Sequence, residues 1–213
     1  MYAATVLSDS PIAYWRLGES SGTSAADSSG NGHGGTYTGG VTLNAAGALF
    51  GDPDTAARFD GVNDSVQVSD ASELHLNSDW TIEFWARQLS YANTLPGILE
   101  KGDSTGPHGY AIWADSSGDL WFQRHNREAD SGNGALTSSY RYFVVTYDGT
   151  NARWYVDGAL RSTTPINLPT NNGSATLELG RAASYGNDEL DEVAIYDSAL
   201  SAARVSAHYA AGS

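Results

Sequence analysis

At positions 140–158 the chain reads YRYFVVTYDGTNARWYVDG, and this stretch decides the fold. A run rich in Tyr, Phe and Val leads into Asp148-Gly149-Thr150-Asn151, and a second run, 152–156, stops at Asp157-Gly158. Aromatic and β-branched residues on both sides of a four-residue polar turn predict an antiparallel hairpin. In its first strand Tyr142, Val144 and Thr146 alternate with Phe143, Val145 and Tyr147, so both faces are largely apolar. A strand of that kind sits inside a sheet covered on both sides. The hairpin is therefore expected at the centre of a β-sandwich.

Outward from the hairpin, short strands are expected at 12–17, 98–101, 109–113, 119–124, 175–180 and 189–196. Segments 56–59 and 65–68, flanking Asp60-Gly61-Val62-Asn63-Asp64, read as a second hairpin. WTIEFWAR at 80–87 alternates Trp80, Ile82, Phe84 and Ala86 with Thr81, Glu83, Trp85 and Arg87, the pattern of a half-buried strand. The tract 18–40 has few core-sized residues and reads as a loop that a neighbouring sheet or a bound ion must fix. Residues 198–209 are Ala-rich, with Leu200, Val205 and Tyr209 on one side and Ser201 as a cap, and predict a short terminal helix. The fold class is all-β: a two-sheet antiparallel β-sandwich, or jelly roll, with a short C-terminal helix, in one domain spanning 1–213.

The bulk numbers narrow the function. The chain has 213 residues, 24 Gly, and 6 Trp, 12 Tyr and 5 Phe for a core. A formal charge of −14, with only 11 Lys plus Arg, argues against nucleic acid, whose phosphates need a basic face. There is no Cys, hence no disulfide, thiolate metal site or Cys nucleophile. No apolar run approaches the roughly 18–20 residues of a membrane span, so no membrane partner is expected. The opening MYAATVLSDSPIAYWRLGE lacks the basic-then-apolar pattern of a secretory signal; the expectation is a protein not exported by that route, or a piece of a longer secreted chain.

AYWRLGE, DSSGNGHGGTY, ARFDG, TIEFWAR, VVTYDGTNARWYVDG and ELDEVAIYDSALSAARVSAHY follow one another from about Tyr14 to Tyr209. In that order they resemble the laminin-G-like, concanavalin-A-like jelly-roll family. The resemblance implies two antiparallel sheets, often one bound Ca²⁺, and a binding rather than a catalytic role. The opening YAATVLSDSPIAYWRLGESSGT looks like minor tail proteins of phages that infect actinobacteria. The chain departs from the family at Tyr140-Arg141-Tyr142, where Trp-His-His is usual, so no role of those histidines carries over.

Several candidate sites follow. Asp27-Ser28-Ser29-Gly30-Asn31-Gly32-His33 puts oxygen-bearing side chains at alternate positions, as a calcium loop does. Position twelve is Thr38 rather than a bidentate Glu, so this is no EF-hand and another segment must complete the shell. By the family match that segment holds Asp191, which gives Asp27, Asn31 and Asp191 as metal ligands for a structural Ca²⁺; an Asx turn is the alternative. Glu189-Leu190-Asp191-Glu192 resembles the glucanase Glu-x-Asp-x-Glu, but Val193 stands in the last place, so no catalytic residues are expected. Gly18-Glu19-Ser20-Ser21-Gly22 and Gly30-x-Gly32-x-x-Gly35 lack the helices that a nucleophile elbow or a dinucleotide site requires. The five histidines have no zinc spacing.

Trp15, Trp85 and Trp154 are assigned to the core. Trp113 and Trp121, with Tyr91 and Tyr110, lie beside polar loops at 88–97, 102–109 and 124–134. An aromatic ring at a loop rim can stack on a sugar, with Asn126, Arg127 and Asp130 bonding its hydroxyls; packing in the core or at a sheet edge is the alternative for each ring. The expected function is a non-catalytic virion-surface protein, on a phage tail or capsid, made in the host cytoplasm and contacting other virion proteins or cell-surface glycans, a role compatible with a homo-oligomer. The alternative is a carbohydrate-binding module of a secreted bacterial enzyme or adhesin, located extracellularly.

Overall fold

The structure, a computed structural model, describes residues 1–91, 93–102 and 109–213. The chain begins with α1 (Tyr2–Leu7), β1 (Ala13–Trp15), β2 (Ser24–Ala25), β3 (Gly35–Thr38), β4 (Thr42–Ala46), β5 (Thr55–Arg58) and β6 (Ser65–Val68). After a 3₁₀ turn at Ser72–His75 come β7 (Trp80–Gln88), β8 (Gly97–Lys101), β9 (Tyr110–Ala114), β10 (Leu120–Arg124) and β11 (Arg127–Asp130). The last elements are β12 (Arg141–Tyr147), β13 (Asn151–Val156), β14 (Ala159–Pro165), β15 (Leu177–Leu179), β16 (Asp188–Tyr196) and α2 (Ala202–Gly212).

Among the described residues the strands form two antiparallel sheets of eight. The first runs β14-β13-β12-β7-β16-β5-β4, with β1 also on β16; the second runs β11-β10-β9-β8-β15-β6-β3-β2. The central hairpin is β12–β13, with Tyr147 opposite Ala152 and Phe143 opposite Val156. Its turn is closed by Asp148 Oδ1, which accepts the amides of Thr150 and Asn151 at 3.0 and 2.8 Å. Phe143 and Val145 enter the core between the sheets, where Phe84 stacks on Phe143 at 5.4 Å. Trp154 crosses that core, and its indole N–H donates to the Ala129 carbonyl of the opposite sheet at 2.9 Å. Truncating a buried Trp of this kind to Ala costs about 3–5 kcal/mol.

Three expectations need correction. Strand β7 is buried on both faces, Glu83 included, because α1 and α2 lie over the outer face of the first sheet. Trp85 is a core residue as expected, in the apolar cluster beneath those helices, edge-on to Tyr2 at 6.2 Å. Segments β5 and β6 are not a hairpin: β5 pairs with β16 and β4, whereas β6 pairs with β15 and β3 in the other sheet. The tract 18–40 contains β2 and β3, and β3 lies on β6 along its whole length. The terminal helix has Ser201 as its cap, with Oγ accepting the Arg204 amide at 3.3 Å.

Candidate ligand-binding face

The two sheets treat their outer faces differently. On the first, α1 and α2 bury Glu83 completely. Its carboxylate accepts from the hydroxyls of Tyr142 and Tyr196 and from His208 Nδ1, the last at 2.9 Å. His208 Nε2 meets Asp9 at 2.6 Å, and Arg204 Nη2 meets the same Asp9 oxygen at 2.6 Å. Burial alone would push the His208 imidazole down, but Glu83 and Asp9 together outweigh it and hold it above its ordinary value. Glu83 and His208 are wholly buried, Asp9 and Arg204 carry the network to the surface, and together they tie the terminal segments to the sheet.

The second sheet keeps its outer face open. Side chains alternate along each strand, so Leu120, Phe122 and Ile112 point inward while Trp121, Gln123 and Trp113 point outward. Register places Trp121 opposite Trp113, and their rings stack 5.5 Å apart with planes 9° from parallel. The Trp121 indole also reaches Asp115 at 3.4 Å. One step along, Gln123, Glu100, Glu178, Gln67 and Thr36 form a polar row on successive strands, interrupted only by Ala111.

Beside the row lies a cleft of about 440 Å³, with Glu100, Glu178 and Arg181 in its lining. Its wall is the 181–185 turn, which needs Gly97 beneath it: a Cβ there would fall 1.8 Å from the Ala182 amide nitrogen. Arg181 Nη1 bridges Glu178 at 2.9 Å and lies over the Tyr185 ring at 5.5 Å. Glu100 and Glu178 are direct cross-strand partners. Like charges so placed cost stability, and Arg181 offsets part of that cost at Glu178.

The expected ligand residues divide. Trp113 and Trp121 come together on the open face. Asn126 does not join them: with His125 it forms the turn between β10 and β11, both at positive φ (56° and 50°), a conformation Asn tolerates. Arg127 stands opposite the inward-pointing Arg124 and so belongs to the other side of the pleat from the tryptophans. Asp130 is opposite Trp121, on the outward side. Tyr110 is buried and donates to the Leu74 carbonyl. Most of the 102–109 rim, His108 with it, falls at 103–108, outside the described residues.

The expected metal ligands serve the protein itself. Asp27 accepts three backbone amides, those of Tyr14, Ser29 and His33, at 2.9–3.0 Å. Asn31 Nδ2 donates to the carbonyls of Pro11 and Ile12, both at 3.1 Å. Trp15 Nε1 donates to the His33 carbonyl at 2.7 Å. Asp191 lies elsewhere, buried and accepting the Ala48 amide at 2.8 Å. Among the described residues no three carboxylate or imidazole groups converge as a metal site. A carboxylate turned to N–H donors, with an amide turned to carbonyls, does not fit a calcium ion. Glu189, the other half of the glucanase-like pair, is taken by Arg87 and Tyr140 at 2.7 and 2.8 Å.

Residues 60–206 match the family model described as the concanavalin A-like lectin/glucanases superfamily. The chain belongs to that superfamily. Among solved structures of this superfamily's shape, the binding domain of Paraclostridial mosquitocidal protein 1 has a TM-score of 0.75 at 19% identity, over 95% of this chain and 52% of that one. The binding domain of botulinum neurotoxin DC, in complex with rat synaptotagmin II, has a TM-score of 0.72 at 18% identity, over 97% and 52%. Domain 4 of AbnA, an extracellular arabinanase of Geobacillus stearothermophilus in complex with arabinotriose, has 0.69 at 19%, over 93% and 98%. The chain thus spans about half the length of the toxin domains and nearly all of the arabinanase domain. No curated protein sequence matches it.

Proposed function

We propose that the chain is a non-catalytic glycan-binding β-sandwich that contacts sugars with the open face of its second sheet. The observation that carries this reading is the parallel Trp113–Trp121 pair set beside a polar row and a cleft. A sugar offers C–H faces to aromatic rings and hydroxyls to amides and carboxylates, so it matches that juxtaposition. The arabinotriose complex of the arabinanase domain, and a botulinum neurotoxin whose cell entry depends on two ganglioside molecules, show that this fold carries sugars elsewhere. Hydrolysis is disfavoured by placement: Glu100 and Glu178 rise side by side from one floor instead of flanking a bond, and Glu178 is held by Arg181. The proposed carrier is an exterior surface such as a phage tail or capsid, a reading that rests on the sequence of the first two dozen residues.

The test is a glycan array probed with the intact chain and with the Trp113→Ala/Trp121→Ala double variant. Wild-type binding to at least one glycan, reduced at least tenfold in a double variant that still folds, is expected. Stacking contacts are worth about 0.5–1.5 kcal/mol each beyond area, enough for that loss. Binding that survives both substitutions overturns the reading.

A further inference from the structure

We propose that the open face selects glycans by charge: it refuses sugars bearing carboxylates and prefers amino sugars with a free ammonium to uncharged chains. This rests on the glycan-binding reading above. The outward side chains of β8, β15 and β11 include Glu100, Glu178, Glu128 and Asp130, and Gln123 Nε2 already donates to Glu128 at 2.5 Å. Against these carboxylates the described lining of the cleft has one basic group, Arg181, and it is committed to Glu178 and to the Tyr185 ring.

The cations on the neighbouring strands do not help an acidic ligand, because they point the other way. Lys101, next to Glu100 in sequence, is wholly buried, where it meets Asp70 and donates to the Ala175 carbonyl at 2.6 Å. Arg124, next to Gln123, is buried and donates to the carbonyls of His75 and Leu76 at 2.9 and 2.8 Å. The pleat thus sorts charge, with bases inward and acids outward. A sugar carboxylate seated about 6 Å from two of the face carboxylates is disfavoured roughly tenfold at low salt, and an ammonium is favoured by a similar factor.

Titration calorimetry on the intact chain tests this with three hexamers: glucosamine, N-acetylglucosamine and galacturonate. The expected order of affinity is glucosamine, then N-acetylglucosamine, then galacturonate, in steps of about tenfold that close at about 1 M salt, where screening acts within about 3 Å. Glu178→Gln releases Arg181 and is expected to raise galacturonate affinity several-fold. Glu73→Gln makes the same charge change off the face and is expected to alter nothing. Galacturonate binding as tightly as N-acetylglucosamine at low salt overturns the proposal, as does an equal response to Glu73→Gln, which would make net charge the cause. If none of the three binds while the array returns another glycan, the charge proposal fails alone; if the array returns nothing either, the glycan reading fails with it. Binding without the charge order defeats the charge proposal alone.

Discussion

The outer faces of the two sheets are built from the same alternating strands and end up as opposites. On the first sheet Trp85, Tyr142 and Glu83 are roofed by helices, and every oxygen of Glu83 is answered by a tyrosine or by His208. On the second, Trp113, Trp121 and Glu178 keep part of their surface exposed, and Glu178 has Arg181 as a neighbour at the cleft. The difference teaches that an aromatic-acidic pattern on a strand does not by itself mean a binding face. What decides is whether another element covers it and whether its polar atoms are used up internally.

The sharpest way to break the comparison is to open the covered face. Glu83→Ala leaves His208 and two tyrosine hydroxyls without their acceptor, and breaking a buried charged network costs about 3–5 kcal/mol. For a chain of this size that lowers Tm by about 10 °C, read by thermal melting. An unchanged Tm would mean that the network does not hold the helices.

A smaller effect comes from Asp188, whose Oδ1 has no partner among the described residues. Burial pushes its carboxyl up to about 8. Because the folded value lies above the unfolded one, the folded chain keeps this proton, and stability falls as pH rises from about 4 to about 8. Glu192, raised to about 7 chiefly by burial and lowered by Tyr14 and Arg16, acts in the same direction. His208 does too: its folded value is raised, so its contribution is present at acid pH and lost as pH climbs through that value. The chain is expected to melt higher at pH 5 than at pH 9. Asp188→Asn should recover about 1–3 kcal/mol at pH 9 and little at pH 5; a variant destabilised equally at both would refute the assignment.

The smallest effect expected is none. Chelator should leave Tm unchanged, because the 27–33 loop is held by amide and indole donors. A fall in Tm with chelator, reversed by Ca²⁺, would restore the ion.

Local patterns made the hairpin, strand β7 and the capped helix legible in the sequence. What stayed hidden depends on distant pairing. The turn Asp60–Asp64 looks like a hairpin turn, yet its strands are claimed by different sheets. Helix α1 has no side-chain cap and only six residues; it forms because Tyr2 and Val6, one turn apart, both bury on the first sheet. Strand β14, ALRSTTP, is an exposed edge with no apolar alternation to betray it. Glu100 is far along the chain from Glu178 and Arg181, which are neighbours in sequence, and it meets them only because β8 pairs with β15. Asn126 and Arg127 follow Trp121 closely in sequence, but the turn and the pleat carry them off the face.

Amide hydrogen exchange of the intact chain, with and without the glycan that the array returns, tests the central claim most directly. Slowed exchange across β8, β9, β10 and the 175–183 segment, with α1 and α2 unchanged, is the predicted result. Slowing confined to the helices or to the 27–33 loop, with β9 and β10 untouched, would contradict it.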